Sequence, residues 1–281
     1  MDSLTGYNIL SMKDGKIQIL LTNDDGVESP GLWKAAEALS SLGWVTVVAP
    51  REQSSGMGRS MPTNVDGKVE QKKQRIGNQE WDVYAINGSP AISVVMAVLS
   101  ILPSKPDLVV SGINYGENPG TDITISGTVG AAMEGAAFGI PSLAASLQLK
   151  NVDTEYLSYS KEIDFSTAAH FTRLFAAMLL EKKFPPEVDL LKLDVPYDAT
   201  PKTEWRITSL AHKRYFIPVL EEPVENAKTP IIGSRFDIKP ESSSTDIQTL
   251  IVEHKVSVTP LTLDMTAKVD LGKLESKLKK Q

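Results

Sequence analysis

From residue 17 onward, short apolar runs that end in polar residues alternate with longer stretches of helical period. Residues 17–22 (IQILLT) are mostly apolar, as in a strand buried on both faces of a parallel sheet. In residues 30–42 (PGLWKAAEALSSL), Leu32, Ala35, Ala36 and Leu39 recur at helical spacing. Pro30 opens that stretch and Gly43 follows it, which predicts a helix. Residues 44–49 (WVTVVA) give the next strand, completing a βαβ unit of the kind that builds doubly wound sheets. Polar, alternating stretches around Gly67 and Gly77 predict one or two antiparallel excursions ending in the strand 81–86 (WDVYAI). Parallel order then resumes: a helix over 89–102 closed by Pro103, a strand at 107–110 (DLVV), a small-residue helix over 128–138 and a strand at 141–146. An amphipathic helix over 164–183, bounded by Pro185 and Pro186, leads to the strand 190–195 (LLKLDV).

After about Thr200 the patterning turns toward strands, at 205–210 (WRITSL), 235–238 (RFDI) and 251–261 (IVEHKVSVTPL). A Lys-rich amphipathic segment at 269–280 reads as a solvated helix face, and PESSST at 240–245 as a hinge. The expected architecture is a three-layer α/β/α, Rossmann-like fold on a mostly parallel sheet. Its core spans 17–200, and a β-rich extension with a terminal helix, engaged in oligomer contacts, spans 201–281. Residues 1–16 lack a basic start and a continuous apolar stretch, so they read as a short leader rather than a signal peptide.

Composition narrows the chemistry. The 281 residues include no Cys, which excludes a disulfide framework, a thiolate zinc site and a cysteine nucleophile. With 35 Asp and Glu against 29 Lys and Arg, the net charge of −6 argues against a broad surface for large nucleic acids. No apolar run approaches the roughly 18–20 residues that span a bilayer, so no membrane is expected and the expected location is the cytoplasm. The three histidines, His170, His212 and His254, lie outside the polar clusters described next, and no Gly-x-Ser-x-Gly elbow is present. Trp33 and Trp44 belong to the first helix and second strand, as packing residues rather than a base-stacking platform.

Polar residues gather at three strand ends: Asn23-Asp24-Asp25-Gly26, then Gln53-Ser54-Ser55-Gly56, then Ser111-Gly112-Ile113-Asn114-Tyr115-Gly116. In an open parallel sheet such ends converge on one crevice. Adjacent carboxylates at Asp24 and Asp25 repel in a desolvated crevice unless a cation relieves them, although one Asp is also able to cap the following helix. A hydroxyl from Ser55 and an amide oxygen from Asn114 complete an all-oxygen set, which suits Mg²⁺, Mn²⁺ or Ca²⁺. The glycine-rich stretch 111–130 (SGINYGENPGTDITISGTVG) lets backbone approach a ligand. Ser126-Gly127-Thr128 precedes a predicted helix, where amide groups favour phosphate; Ser126 or Thr128 equally suits a helix N-cap. Neither a Walker A loop nor a Rossmann Gly-x-Gly-x-x-Gly fingerprint is present.

With these loops in hand, the chain resembles the SurE family of survival-protein nucleotidases. The resemblance rests on ILLTNDDGVESPGL (19–32), VVAPREQSSGMGRS (47–60), NGSPA (87–91), VSGINYGENPGTDITISGTVGAAMEGAAFGIPSLAAS (110–146) and VSVTPLTLDMT (256–266), in the family's order. It implies a metal-dependent phosphomonoesterase acting on nucleoside 5′- and 3′-monophosphates, with one divalent cation per subunit, in homodimers or homotetramers. By position, its metal ligands fall on Asp24, Asp25, Ser55 and Asn114. Phosphate contacts fall on Ser126, Gly127, Thr128 and Asn118, with Asn23 and Gly56 beside them. Ile125 stands where many relatives carry Tyr, and Ser89 where Thr is usual before Pro.

The expected chemistry is hydrolysis by a water activated at the cation, with Asn118 and the 126–128 turn steadying the phosphoryl oxygens. Asp24 and Asp25 are candidate catalytic residues, either of them as base or as nucleophile. Two other readings stand beside it. A haloacid-dehalogenase-type aspartyl-phosphate phosphatase needs Asp-x-Asp, whereas Asp25 is followed by Gly26 and Val27. A non-catalytic, metal-dependent nucleotide sensor would keep the crevice without turnover.

Overall fold

The computed structural model describes residues 17–279 apart from 64, 65, 67, 77, 78, 151–162, 222–230 and 237–243. The leader, the turns at Gly67 and Gly77 and most of the 240–245 hinge lie outside the described residues. The first βαβ unit is β1 (Gln18–Thr22), α1 (Pro30–Leu39) and β2 (Trp44–Pro50). β1 and β2 pair in parallel, with Leu20 opposite Thr46. Pro30 at the first position of α1 matches its expected start, and the helix ends three residues early because 40–43 close in a turn.

A hairpin of β3 (Val69–Ile76) and β4 (Gln79–Ile86) follows. β4 runs parallel to β2, so the excursion is a single antiparallel edge strand, whose Lys72, Lys73 and Arg75 discourage further pairing. α2 (Pro90–Met96) is capped by the Ser89 hydroxyl and runs on into a wider helical turn at Ala97–Ile101. Next come β5 (Leu108–Tyr115), α3 (Gly127–Ala137), β6 (Ser142–Leu147), α4 (Ser166–Leu180) and β7 (Leu190–Val195).

β5 departs from expectation. Its residue types suggest a strand that stops at Val110, yet pairing continues through Tyr115, with all eight residues buried. Ser111 still faces Thr22 of β1, and the ladder with β6 slips before resuming at Asn114 and Ser146. Gly112 makes the slip possible: its φ is +130°, and a Cβ there would stand 2.2 Å from the Ala145 carbonyl oxygen.

After Thr200 come β8 (Trp205–Ile207), β9 (Phe216–Glu221), β10 (Ile231–Phe236) and β11 (Val256–Leu261). The large sheet has the order β3-β4-β2-β1-β5-β6-β7-β11-β8, while β9 and β10 form a separate antiparallel ribbon. The expected strand over 251–261 begins only at Val256, because Gln248–Val252 is a helical turn. β11 then inserts antiparallel beside β7 and carries β8 along its outer edge. The terminal helix α5 (Leu271–Leu278) is capped by Asp270.

Helices cover both faces. α1 and α4 pack with Ile19, Leu21, Val47 and Val110 on one side, and α2 and α3 with Leu20, Val48 and Val109 on the other. Strand order reverses between β1 and β5: the chain runs from β1 outward to β2 and β4, then returns to β5 on β1's opposite flank. A crevice at the carboxyl ends of these strands is where such sheets bind ligands. Among the described residues, no helix is long and apolar enough to cross a membrane.

Candidate active site

The turn after β1 places the two acids. Asn23 donates from Nδ2 to the Gly26 carbonyl at 2.9 Å and accepts the Gly26 amide at 3.2 Å, locking the turn. Its Oδ1 and one N–H of its Nδ2 serve the turn, and the second N–H of the amide is not used in it. Asp24 and Asp25 emerge from this turn 3% and 0% exposed.

Asp24 faces the start of α3. Its Oδ2 accepts the Thr128 amide at 2.9 Å, and its Oδ1 accepts the Thr128 hydroxyl. The positive end of the helix is therefore met by the Asp24 carboxylate, to which both the amide and the hydroxyl of Thr128 donate. Gly127 permits the approach, since a Cβ there would lie 2.8 Å from Asp24 Cβ and Oδ2. Ser126 is the N-cap: its Oγ accepts the Val129 amide at 3.2 Å, and its own O–H remains available to donate.

Asp25 accepts the Tyr115 amide at 3.1 Å, which ties the first loop to the end of β5. Beside Tyr115, Asn114 donates its amide nitrogen to the carbonyls of Tyr115 and Gly116, at 3.2 and 2.8 Å. That orientation commits the nitrogen to the backbone and leaves the amide oxygen to serve a ligand. The second loop is drawn in by the Ser54 amide on the Asp24 carbonyl at 2.7 Å, and its next two residues, Ser55 and Gly56, are exposed. The three strand-end loops are thus joined around the acidic pair.

Electrostatics favour a cation at this pair. Burial pushes both carboxyls above the ordinary range, and for Asp25 the Asp24 charge adds to the push. The bonds from Thr128 and Gly127 oppose the rise at Asp24, and the Tyr115 amide opposes it at Asp25. Two neighbouring buried carboxylates relieve each other only by taking up protons or a cation. Among the described residues no group of three or more His, Cys, Asp or Glu is placed to hold a metal. A site here has to draw on neutral oxygens, and Ser55 and Asn114 carry them. The residues fit a hard divalent ion and not zinc.

Asn118 follows β5. Its Nδ2 donates to Ser146 Oγ at 2.9 Å and its backbone amide to Asp194 Oδ1 at 2.9 Å. Ser146 and Asp194 stand opposite each other in the β6–β7 register. The sequence reading missed both partners; the only trace of Asp194 was a second charged residue two positions after Lys192 in a strand otherwise apolar. His170, His212 and His254 stay outside the acidic pair's hydrogen bonds, and His254 instead meets Asp198 at 3.2 Å. Trp33 packs in the core and donates to the Val27 carbonyl.

The neighbouring Glu117 is 4% exposed, and burial, with the Asp194 charge adding, pushes its carboxyl up to about 7. The raised value makes the neutral form the stabilising one. Its contribution is complete below about 4.5 and is lost as the pH rises through about 7. Between pH 5 and 8 this amounts to roughly 2–3 kcal/mol. Glu117→Gln is therefore expected to flatten the fall in stability over that window, as read by urea unfolding at both ends. An equal fall in parent and variant would refute the assignment.

The sequence and the fold have counterparts in known proteins. Residues 19–216 match the family described as Survival protein SurE. The 5′-nucleotidase SurE of Thermococcus gammatolerans is 44% identical over 266 residues, covering 93% of this chain and 96% of that protein. The 5′-nucleotidase SurE of Methanothrix thermoacetophila is 40% identical, over 92% of this chain and 97% of that protein. The crystal structure of the SurE protein from Aquifex aeolicus superimposes with a TM-score of 0.71 at 33% identity, over 94% of this chain and all of that one. With its family match running from β1 into β9 and its similarity to these relatives nearly end to end, the chain belongs to the SurE family.

Proposed function

We propose that this protein is a divalent-metal-dependent 5′-nucleotidase that releases phosphate from nucleoside monophosphates, with 3′-monophosphates as a second substrate class. The observation that carries the reading is the buried Asp24–Asp25 pair at the strand-order reversal, joined to Asn114 and the Ser55 loop. Relatives at 44% and 40% identity named 5′-nucleotidase SurE support it.

Asp24, Asp25, Ser55 and Asn114 would hold the cation, Mg²⁺ or Mn²⁺ by their oxygen chemistry. When bound, such an ion supplies charge to polarise a phosphoryl oxygen and to acidify a water. The chain's own groups do the rest. Thr128 and the start of α3 fix Asp24 in one orientation, and the Tyr115 amide fixes Asp25. The Ser126 hydroxyl and the second N–H of the Asn118 amide remain as donors for phosphoryl oxygens that gain charge in the transition state. Asp25, beside Asp24 and bound by the Tyr115 amide, takes the proton from the attacking water in this scheme.

Phosphate release from a panel of nucleoside 5′- and 3′-monophosphates, with Mg²⁺, Mn²⁺ or EDTA, tests the reading. Release with metal, loss in EDTA and recovery on re-addition are expected. Full turnover in EDTA, a borohydride-reducible acyl phosphate on either aspartate, or nucleotide binding without any release would each overturn it.

A further inference from the structure

Lys192, Asp194 and Asp246 are each 0% exposed and form a charged cluster beneath the loop that carries Asn118. Lys192 Nζ lies 2.5 Å from Asp194 Oδ2 and 2.9 Å from Asp246 Oδ2. Neither carboxylate ends at the lysine. Asp194 Oδ1 accepts the Asn118 amide, and Asp246 Oδ2 accepts the Gly120 amide at 2.9 Å. Asp246 Oδ1 also takes the amides of Ala211 and Ile247, both at 2.9 Å. One lysine on β7 thus holds two acids that grip alternate amides of the segment running from Asn118 to Gly120.

A buried ion cluster is a poor source of stability, because desolvating three charges offsets most of their attraction. What it supplies is geometry, since charge-assisted hydrogen bonds fix their partners in place. Burial alone would lower the lysine's proton affinity, but the two carboxylates more than reverse this, and Lys192 keeps its charge. Asp246 in turn is held below its ordinary range by Lys192 and the Ala211 and Gly120 amides, despite burial.

We propose that Asp194, held by Lys192 and seconded by Asp246, is the positioning residue of the nucleotide site: it fixes Asn118 where the amide meets the substrate phosphate. The proposal rests on the nucleotidase reading for the identity of that phosphate. Asp246 lies beyond residue 200, so the strand-rich part of the chain takes part in shaping the site.

The experiment compares the parent with Asp194→Asn and Asp246→Asn, each close in shape to the residue it replaces. Amide exchange of the parent comes first: the amides of Asn118 and Gly120 should be protected to the level of Thr128. Exchange at the rate of an open loop would overturn the proposal before any variant is made. In Asp194→Asn, loss of a bond to a charged acceptor should speed Asn118 exchange about tenfold, and should raise KM for AMP and the inhibition constant of inorganic phosphate about tenfold, with kcat changed less. Asp246→Asn should release Gly120 in the same way. Mn²⁺ affinity, measured by calorimetry, should stay at the parent value in both, because the acidic pair is untouched. Unchanged KM and phosphate inhibition in a folded Asp194→Asn protein would overturn the proposal. So would a parallel loss of Mn²⁺ affinity, which marks a general loosening of the fold. If the parent binds phosphate in calorimetry but hydrolyses no nucleotide, the nucleotidase reading fails while protected amides and weakened phosphate binding in the variant still support the positioning role.

Discussion

Asp25→Asn is expected to abolish phosphate release, by about 10³-fold or more, and at the same time to make the metal-free protein more stable than its parent at pH 7. Both effects come from one side chain. Asp25 is fully buried beside Asp24, and burial together with that neighbour disfavours its charged form. At neutral pH the folded protein therefore bears a cost that a neutral amide of the same shape does not, and Asn keeps an oxygen for the Tyr115 amide. Active sites commonly trade stability for function in this way. The catalytic loss follows because the amide offers a cation no charge and the attacking water no base. Scanning calorimetry with EDTA or with Mn²⁺ separates the two effects. Mn²⁺ at 100 times its dissociation constant should stabilise the parent by about 2.7 kcal/mol and the variant hardly at all. A variant that hydrolyses AMP at the parent rate, or that gains as much from Mn²⁺, would remove Asp25 from the site.

The acidic pair was legible in sequence because its signal is local. Two adjacent acids directly after a buried apolar run stand out by charge, and the βαβ period around them puts them at a strand end, although a turn or a helix cap would read the same way. α1, β2, α3 and β7 were legible for the same reason, since each is a periodic stretch with its own boundary residues. The continuation of β5 through Ser111–Tyr115 was not. Ser, Gly and Asn read as loop by type, whereas the flanking strands β1 and β6 supply partners for that backbone and override the preference. Thr128 illustrates a second limit. Its position at a helix start suits a phosphate or a cap, and only the structure shows that its amide and hydroxyl both donate to Asp24, 104 residues away. Lys192 had even less to announce it, since its partner Asp246 lies 54 residues on and Asp194's partner Asn118 lies 76 residues back.

This cluster yields the largest expected effect on stability. Lys192→Met keeps an unbranched side chain one atom shorter and removes its charge, leaving Asp194 and Asp246 buried without a counter-ion. Breaking a buried pair from one side costs roughly 3–5 kcal/mol, because the remaining charge is uncompensated. At roughly 2–4 °C per kcal/mol for a chain of this size, the midpoint of thermal unfolding should fall by roughly 10 °C. Adding Asp194→Asn and Asp246→Asn to Lys192→Met removes the stranded charges and should restore most of that loss, since a neutral cluster pays no ionic desolvation. The two readouts then part company. If the cluster positions Asn118, the triple variant regains its melting temperature but keeps the raised KM, because its amide acceptors no longer carry charge to hold the loop. Recovery of both together would mean that the three residues hold only the fold. Recovery of neither would mean that the ion cluster, unlike most buried ones, is itself the main stabilising contact between β7 and the segment around Asp246.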